Sequence, residues 1–249
     1  MTAPGGRGRP RPLRNFLNTN GSYDDEEDGM TTTMTRAAGR TTTAGVRAGL
    51  ALIGAGTLAL TTLELVNPGH ALLSEALSRY VHGTAGLLLP AGLLAVAAAS
   101  ALLAARLTGH GAGRIAVAAW TAGILVAGLF PADPPGHHHR PSLSELVHGN
   151  AAFLAFAALP AAALLLRRRL VAARPRLRTA LDALTAVSLL GTSALAVLLA
   201  DVMDGGPSLG LLGAPTLLGL AERIVLAADF GWVAVALLAT AAGERGRRA

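Results

Sequence analysis

The sequence predicts an all-α membrane protein, a bundle of six transmembrane helices that follows a disordered amino-terminal tail. Two observations lead to this prediction: six apolar stretches have the length of a membrane span, and arginine accumulates at alternate ends of those stretches. Hydrophobic residues make up 52% of the 249 residues and charged residues only 14%, against roughly 25% charged residues in soluble domains. A soluble fold is therefore not expected.

Composition also narrows the function. All 21 basic residues are arginine, and the formal net charge is +6. The arginines lie beside apolar stretches rather than on one basic surface, so the lipid bilayer is the expected partner and nucleic acid is not. The chain has no cysteine, which excludes a disulfide framework, a thiolate metal site and a cysteine nucleophile.

Residues 1–44 are predicted to form a disordered cytoplasmic tail. The segment is polar, carries the acidic block Asp24–Asp28 and lacks the apolar content of a folded core. No apolar segment follows the early arginines, and the first hydrophobic run begins only near Gly45, so that run is expected to remain in the protein as a signal anchor. Residues 243–249 are predicted to form a second, short cytoplasmic tail.

Between the tails, six apolar stretches reach the length that a helix needs to cross a bilayer, about 20 residues at a rise of 1.5 Å each. Pro90 and Pro160 lie inside the second and fourth spans and are candidates for kinks. Small residues at a spacing of four, such as Ala119 and Gly123, predict close helix packing. The predicted spans are residues 45–66, 83–105, 114–130, 148–166, 180–200 and 218–242.

The arginines predict the orientation of the spans. Fourteen arginines flank one set of span ends, and three, Arg79, Arg140 and Arg223, flank the other. Cytoplasmic loops carry the excess of arginine in membrane proteins, so the first set is expected to face the cytoplasm. Six spans then place both termini in the cytoplasm of a cell-membrane protein.

The connection between the first two spans is predicted to contain a short helix that lies flat on the membrane surface. Asn67 and Pro68 are typical of a helix start, and Glu75 and Arg79 have the spacing of a charge pair on one helix face. An ordinary loop is the alternative.

Ionisable residues collect at the outer span ends. A charge at membrane depth costs at least about 2.5 kcal/mol, so these side chains are expected to face the bundle interior, to pair or to line water. Asp229 is the deepest acid, and it shares a helix face with Glu222, seven residues earlier. The candidate functional cluster is Glu64, His82, Asp133, His148, Glu222, Arg223 and Asp229.

Three interpretations of this cluster remain open. The first is structural, with Arg223 paired to Asp133 or Glu222 and the histidines hydrogen-bonded at the level of the lipid head groups. The second is a proton- or substrate-binding cavity open to the outside. The third is a site for a divalent metal ion, formed by His82, His148, Asp133 and Glu222, that activates water. These donors suit Zn²⁺, but no helical His-x-x-x-His spacing accompanies them.

The run His137–His139 is a further candidate for metal binding, although adjacent histidines on a loop also bind transition metals adventitiously. No phosphate loop, nucleophile elbow or dinucleotide fingerprint occurs in the sequence. The sequence therefore predicts no cofactor, with a divalent metal ion as the alternative.

Four short motifs occur in order at the outer span ends. They are Ser78–Gly83 before the second span, Gly123–Asp133 closing the third, Val147–Gly149 opening the fourth, and Gly219–Arg223 leading to Trp232 in the sixth. In this order and placement the chain resembles the domain of unknown function 998 family, six-span membrane proteins of bacteria and archaea. The resemblance covers roughly residues 45–242.

The resemblance implies an integral membrane domain without an established activity, and it marks Asp133, His148, Glu222 and Arg223 as positions to test. Two classes of function remain. One is a non-enzymatic protein that packs, senses or binds a lipid or other small ligand through the outer cluster. The other is a membrane-embedded enzyme of the metal-dependent hydrolase type, or a proton-coupled carrier, built on the same cluster.

Overall fold

The computed structural model describes the backbone of residues 24–134, 140–205, 209–211 and 213–243, and the side chains of 43–134, 140–205, 209–211 and 213–241. The chain divides into two units, Met1–Thr41 and Thr42–Ala249, and the second contains every contact discussed below. The histidine run His137–His139 and the predicted carboxyl-terminal tail beyond Gly243 lie outside the described residues.

The described residues form six long helices and no strand, so the predicted all-α fold is confirmed. Each helix includes an apolar segment of 19 to 31 residues, which is long enough to cross a bilayer, and the protein is a multi-pass membrane protein. The helices are α1 (Asp24–Val66), α2 (Leu88–Arg106), α3 (Gly111–Leu129), α4 (Leu143–Ala173), α5 (Arg178–Asp204) and α6 (Leu218–Gly243).

Helix α1 starts within the segment predicted to be a disordered tail. Its backbone is helical from Asp24, whereas its apolar segment begins at Thr43. The side chains before Thr43 are not among the described residues, and disorder of the tail stays a prediction.

Contacts between helix ends show that α1 runs antiparallel to α6 and that α2 runs parallel to α6. Glu64 near the end of α1 contacts Arg223 near the start of α6, whereas Arg106 at the end of α2 contacts Thr240 near the end of α6. We call the end of the bundle that contains Glu64 and Arg223 the site end. The opposite end, which contains Arg106, is called the arginine end.

The second span begins later than predicted. Leu77–His82 forms a 3₁₀ helix, the chain then turns, and α2 begins only at Leu88. Pro90 therefore lies in the first turn of α2, where a missing backbone N–H breaks no helical hydrogen bond, and it is not in a position to kink the span. Pro160 lies inside α4, as predicted.

Glycines bring the helices close together. A Cβ atom built on Gly56 of α1 would lie 2.9 Å from the carbonyl oxygen of Gly92 in α2. A Cβ atom on Gly123 of α3 would lie 2.7 Å from the carbonyl oxygen of Ala151 in α4. Small residues allow this close approach. In a bilayer the hydrophobic effect does not drive helices together, so they associate through close packing of this kind.

The core and the lipid-facing surface differ clearly in exposure. Trp120 of α3 and Trp232 of α6 are fully buried, and Trp120 Nε1 donates to Ser100 Oγ of α2 at 2.9 Å. In contrast, Leu58 is 68% exposed and Leu87 82% exposed, and many other large apolar side chains are similar. Such a surface suits acyl chains, so the bilayer is the environment of this bundle.

Guanidinium groups connect the helices at the arginine end. Arg167 of α4 donates from Nε and Nη2 to the two carboxylate oxygens of Asp182 in α5, at 2.6 and 2.8 Å. Arg174 donates to the carbonyl oxygen of Leu238 near the end of α6 at 2.9 Å. Cations near the carboxyl ends of helices oppose the negative end of the helix dipole.

Candidate functional site

The site end is built around the α1–α2 loop, residues 67–87, which packs onto the first turn of α6. The backbone N–H of Leu220 donates to the carbonyl oxygen of Leu73 at 3.0 Å. In the other direction, the backbone N–H of Leu77 donates to Glu222 Oε2 at 2.7 Å. The loop and α6 therefore satisfy each other's free polar groups at a helix start, where backbone N–H groups lack intrahelical partners.

Asn67 closes this loop. The side chain is 7% exposed; its Nδ2 donates to the carbonyl oxygen of Thr84 at 2.8 Å, and its Oδ1 accepts from Thr84 N at 2.7 Å. Nδ2 also donates to the carbonyl oxygen of Leu63 at 2.8 Å. The predicted surface helix beginning at Asn67 is wrong, because the chain forms turns there and becomes helical only at Leu77.

Arg223 of α6 binds α1, the loop and its own helix. Its Nε donates to Glu64 Oε1 at 2.6 Å, and its Nη2 donates to the Tyr80 hydroxyl at 3.0 Å. Its Nη1 donates to the carbonyl oxygens of Glu75, at 2.9 Å, and Gly219, at 2.8 Å. The two charged side chains are only 18% and 19% exposed, so this ion pair is weakly screened by water.

The structure corrects the predicted partner of Arg223. An ion pair between Arg223 and a carboxylate is present as predicted, but the carboxylate is Glu64 rather than Asp133 or Glu222. The reason is that the first and last spans are neighbours in the bundle, which places residues 159 positions apart in contact.

Tyr80 lies beneath this ion pair and is fully buried. Its ring centroid is 4.2 Å from that of His70 and 5.4 Å from the guanidinium carbon of Arg223. His70 Nδ1 in turn lies 2.9 Å from Glu75 Oε2. Burial raises the pKa of the Tyr80 phenol, because the charged phenolate is poorly solvated there, and the nearby charge of Arg223 opposes this effect.

Asp133 connects the end of α3 to the start of α4. Its carboxylate accepts from Ser142 N at 2.7 Å and from Ser142 Oγ at 2.6 Å, and its own N–H donates to Glu145 Oε2 at 2.5 Å. Ser142 is the N-cap of α4, and its Oγ accepts from Glu145 N at 3.1 Å. In a capping box the glutamate would accept from the N-cap N–H; here Asp133 takes that position and Glu145 binds Asp133 instead.

The two candidate histidines both bind the chain at the end of α3. His148 Nδ1 lies 3.0 Å from the carbonyl oxygen of Ala127 and 2.9 Å from that of Phe130. His82 Nε2 lies 2.7 Å from the carbonyl oxygen of Ala132. A carbonyl oxygen only accepts, so these ring nitrogens carry the proton, and the histidines satisfy carbonyl groups at a helix end.

Among the described residues, no group of three or more His, Asp or Glu side chains is arranged to hold a metal ion. The four predicted ligands each contact the protein instead: His82 and His148 bind carbonyl groups, Asp133 binds Ser142, and Glu222 binds a backbone N–H. The predicted metal site gains no support from these contacts.

Asp229 lies apart from the other candidates, deep between α5 and α6. It is fully buried, and its Oδ1 accepts from Ser188 Oγ at 2.6 Å. Its Oδ2 has no hydrogen-bond partner among the described residues. The contact with Ser188 gives Asp229 a place in the packing of α5 against α6.

A cavity of about 400 Å³ lies between α4, α5, α6 and the 3₁₀ helix. Phe153 and Leu199, two of its lining residues, are 66% and 39% exposed, so the cavity opens towards the lipid-facing surface. Its polar part, at the site end, is lined by Ser78, Arg79, Glu145, His148 and Glu222. Most of the other large side chains that line the cavity are apolar: Phe153, Phe156, Leu195, Leu199 and Leu218.

The family model described as protein of unknown function (DUF998) matches residues 50–239, a segment that includes most of all six spans. The chain belongs to the DUF998 family. The resemblance seen in the sequence motifs is thereby confirmed. Comparison of this DUF998 protein with curated proteins and with solved structures gives no match.

Sequence reasoning missed several residues that build the site of this DUF998 protein. The spacing of Ser142 and Glu145 is a visible signal for a helix cap, and it was available in the sequence. Tyr80 lies within the motif Ser78–Gly83, which carried the family resemblance but suggested no role for the phenol. Asn67 was interpreted as a helix start, and its role in the loop was missed because its contacts depend on where the loop returns to α1.

Proposed function

We propose that this integral membrane protein binds an amphipathic, lipid-like ligand in the cavity between α4, α5 and α6. The observation that carries the proposal is the lining of this cavity: its charged side chains, Arg79, Glu145 and Glu222, all lie at the site end, and most of the other large side chains that line it are aromatic or leucine. Ligand sites are typically concave and mostly apolar, with a few polar groups that orient the ligand.

The position of the cavity supports a ligand from the bilayer itself. The apolar wall includes Phe153, which is exposed on the lipid-facing surface, so an acyl chain has a lateral route of entry. The polar wall lies at the helix ends, at the level where head groups meet water. A lipid that enters sideways would thus keep its chain in apolar surroundings and its head group among polar side chains.

We further propose that the protein lies in the cell membrane with its arginine end in the cytoplasm. Arg167, Arg169 and Arg174 all lie at that end, and cytoplasmic loops carry the excess of arginine in membrane proteins. Both termini are then cytoplasmic, and the polar part of the cavity faces the outer side of the membrane.

A matched pair of tryptophan variants tests ligand binding. Ala196 and Ala200 are both exposed on α5, one helical turn apart, but only Ala196 lines the cavity. Ala196→Trp fills the cavity with an indole ring, whereas Ala200→Trp adds the same ring outside it. The lipids that remain bound to the purified protein in mild detergent are measured by native mass spectrometry.

We expect Ala196→Trp to lose the bound lipid and Ala200→Trp to retain it at the level of the unchanged protein. If Ala196→Trp and the unchanged protein bind lipid equally, the cavity is not a lipid site.

A further inference from the structure

We infer that the cavity selects an amphiphile whose head group carries a positively charged amine. This inference rests on the proposed lipid-like ligand and specifies its chemistry. The observation behind it is the presence of two carboxylates, Glu145 of α4 and Glu222 of α6, in the polar part of the cavity.

Each carboxylate is held in place by a backbone N–H rather than by a cation. Glu145 Oε2 accepts from Asp133 N, and Glu222 Oε2 accepts from Leu77 N. These bonds fix the position of each carboxyl group and add no positive charge beside it. Within the part of the chain that the structure describes, neither glutamate has a salt bridge, and each keeps one carboxylate oxygen for a ligand.

The basic side chains near the two glutamates have protein partners of their own. Arg223 binds Glu64 and the carbonyl groups of the α1–α2 loop. His148 directs Nδ1 at the carbonyl groups that end α3. Arg79 also lines the cavity, and it already has a partner within the protein. The polar part of the cavity therefore presents two acidic side chains and one basic side chain, Arg79, to a ligand.

An ammonium group is the chemical complement of this arrangement. It donates up to three hydrogen bonds, and a charge-assisted bond to a carboxylate is shorter and stronger than a neutral one. Because water is partly excluded at a membrane interface, an unpaired carboxylate is costly there and a bound cation lowers that cost. A head group with only negative charge would be repelled by the same two carboxylates.

Three lipids with the same acyl chains separate the contribution of the amine from that of the rest of the head group. The probes are phosphatidylethanolamine, its N-acetylated derivative, which retains the phosphate but has no positive charge, and phosphatidylglycerol. Binding of each to the purified full-length protein is measured by native mass spectrometry. We expect the unchanged protein to bind phosphatidylethanolamine about tenfold more tightly than either of the other two lipids, the effect of roughly one well-placed charge contact.

Glutamine variants assign this preference to the two carboxylates. Glu145→Gln and Glu222→Gln keep a carbonyl oxygen to accept from the backbone N–H and remove only the charge. We expect the double variant to bind all three lipids about equally. Glu75→Gln is the matched control, because Glu75 lies at the same end and pairs with His70 but does not line the cavity. It is expected to keep the preference for the amine.

Equal binding of the three lipids by the unchanged protein would overturn the amine inference, and this comparison needs no variant to fold. A preference that survives in the double glutamine variant would overturn the assignment to Glu145 and Glu222. If Ala196→Trp abolishes lipid binding while head groups are not distinguished, the proposed function stands without the amine selectivity. If Ala196→Trp leaves lipid binding unchanged, the proposed function itself fails.

Discussion

Arg223 Nε of α6 lies 2.6 Å from Glu64 Oε1 of α1, which joins the last membrane span to the first. The same guanidinium group binds the Tyr80 hydroxyl and a carbonyl group of the α1–α2 loop. A single side chain thus connects two helices and the loop that packs on α6. The stability of the site end depends on it.

Replacing Arg223 by glutamine is expected to destabilise the protein by about 2 kcal/mol, because Glu64 would be left as a largely buried charge without a partner. The measurement is thermal unfolding in detergent. Arg167→Gln provides the comparison, since the Arg167–Asp182 pair is 39% and 32% exposed and is expected to contribute less to stability than the pair of Arg223 with Glu64. Equal losses in the two variants would show that burial does not set the strength of these pairs.

Replacing Asn67 by alanine is expected to cost about 1–3 kcal/mol, because the side chain is buried and its hydrogen bonds to Leu63 and Thr84 are lost. Asn150→Ala is the control, since Asn150 is exposed and donates to the carbonyl oxygen of Leu146 in its own helix. The loss of stability in each variant is measured by thermal unfolding in the same detergent. A loss for Asn150→Ala as large as that for Asn67→Ala would contradict the role of Asn67 in closing the loop.

The stability of the protein is expected to fall as the pH rises above about 10, in part because of Tyr80. Burial raises the pKa of this phenol in the folded protein, so the unfolded chain releases its proton first and is favoured at high pH. Tyr80→Phe should weaken this fall, although it also loses the hydrogen bond from Arg223 at neutral pH. Unfolding temperatures between about pH 8 and 11 measure the effect. If the unfolding temperatures of the variant and the unchanged protein fall in parallel with pH, Tyr80 does not contribute to the loss of stability at high pH.

Single cysteines test the proposed orientation, because the chain contains none of its own. Ala71 at the site end and Thr108 at the arginine end are both exposed. A membrane-impermeant maleimide applied to intact cells should label Ala71→Cys, and it should label Thr108→Cys only after the membrane is permeabilised. The reverse pattern would place the arginine end outside and would contradict the proposed topology.

The spans were predictable because each depends on local composition, and the positions of the six helices agree with the predicted apolar stretches. The start of α2 was less predictable. The apolar sequence continues through Leu87, but the backbone before it turns at Ala85, whose φ of +56° is unusual for a residue with a side chain. No sequence signal marks that conformation.

The site was predictable only in part, for a physical reason. The order of residues along the chain shows that Glu64 and Arg223 both lie at the site end. Their pairing depends on which helices are neighbours, and that is decided by packing between glycine and larger side chains, such as Gly56 of α1 against α2. The contact between Asp133 and Ser142 spans only nine positions, and it was within reach of sequence reasoning.

Both tryptophans of the chain are fully buried, Trp120 against α2 and Trp232 within α6. The indole fluorescence of the unchanged protein therefore originates wholly from its interior. Exchange of the surrounding detergent should leave the emission spectrum unaltered, whereas separation of the helices should shift it to longer wavelength. The bundle thus contains its own optical reporter of helix packing.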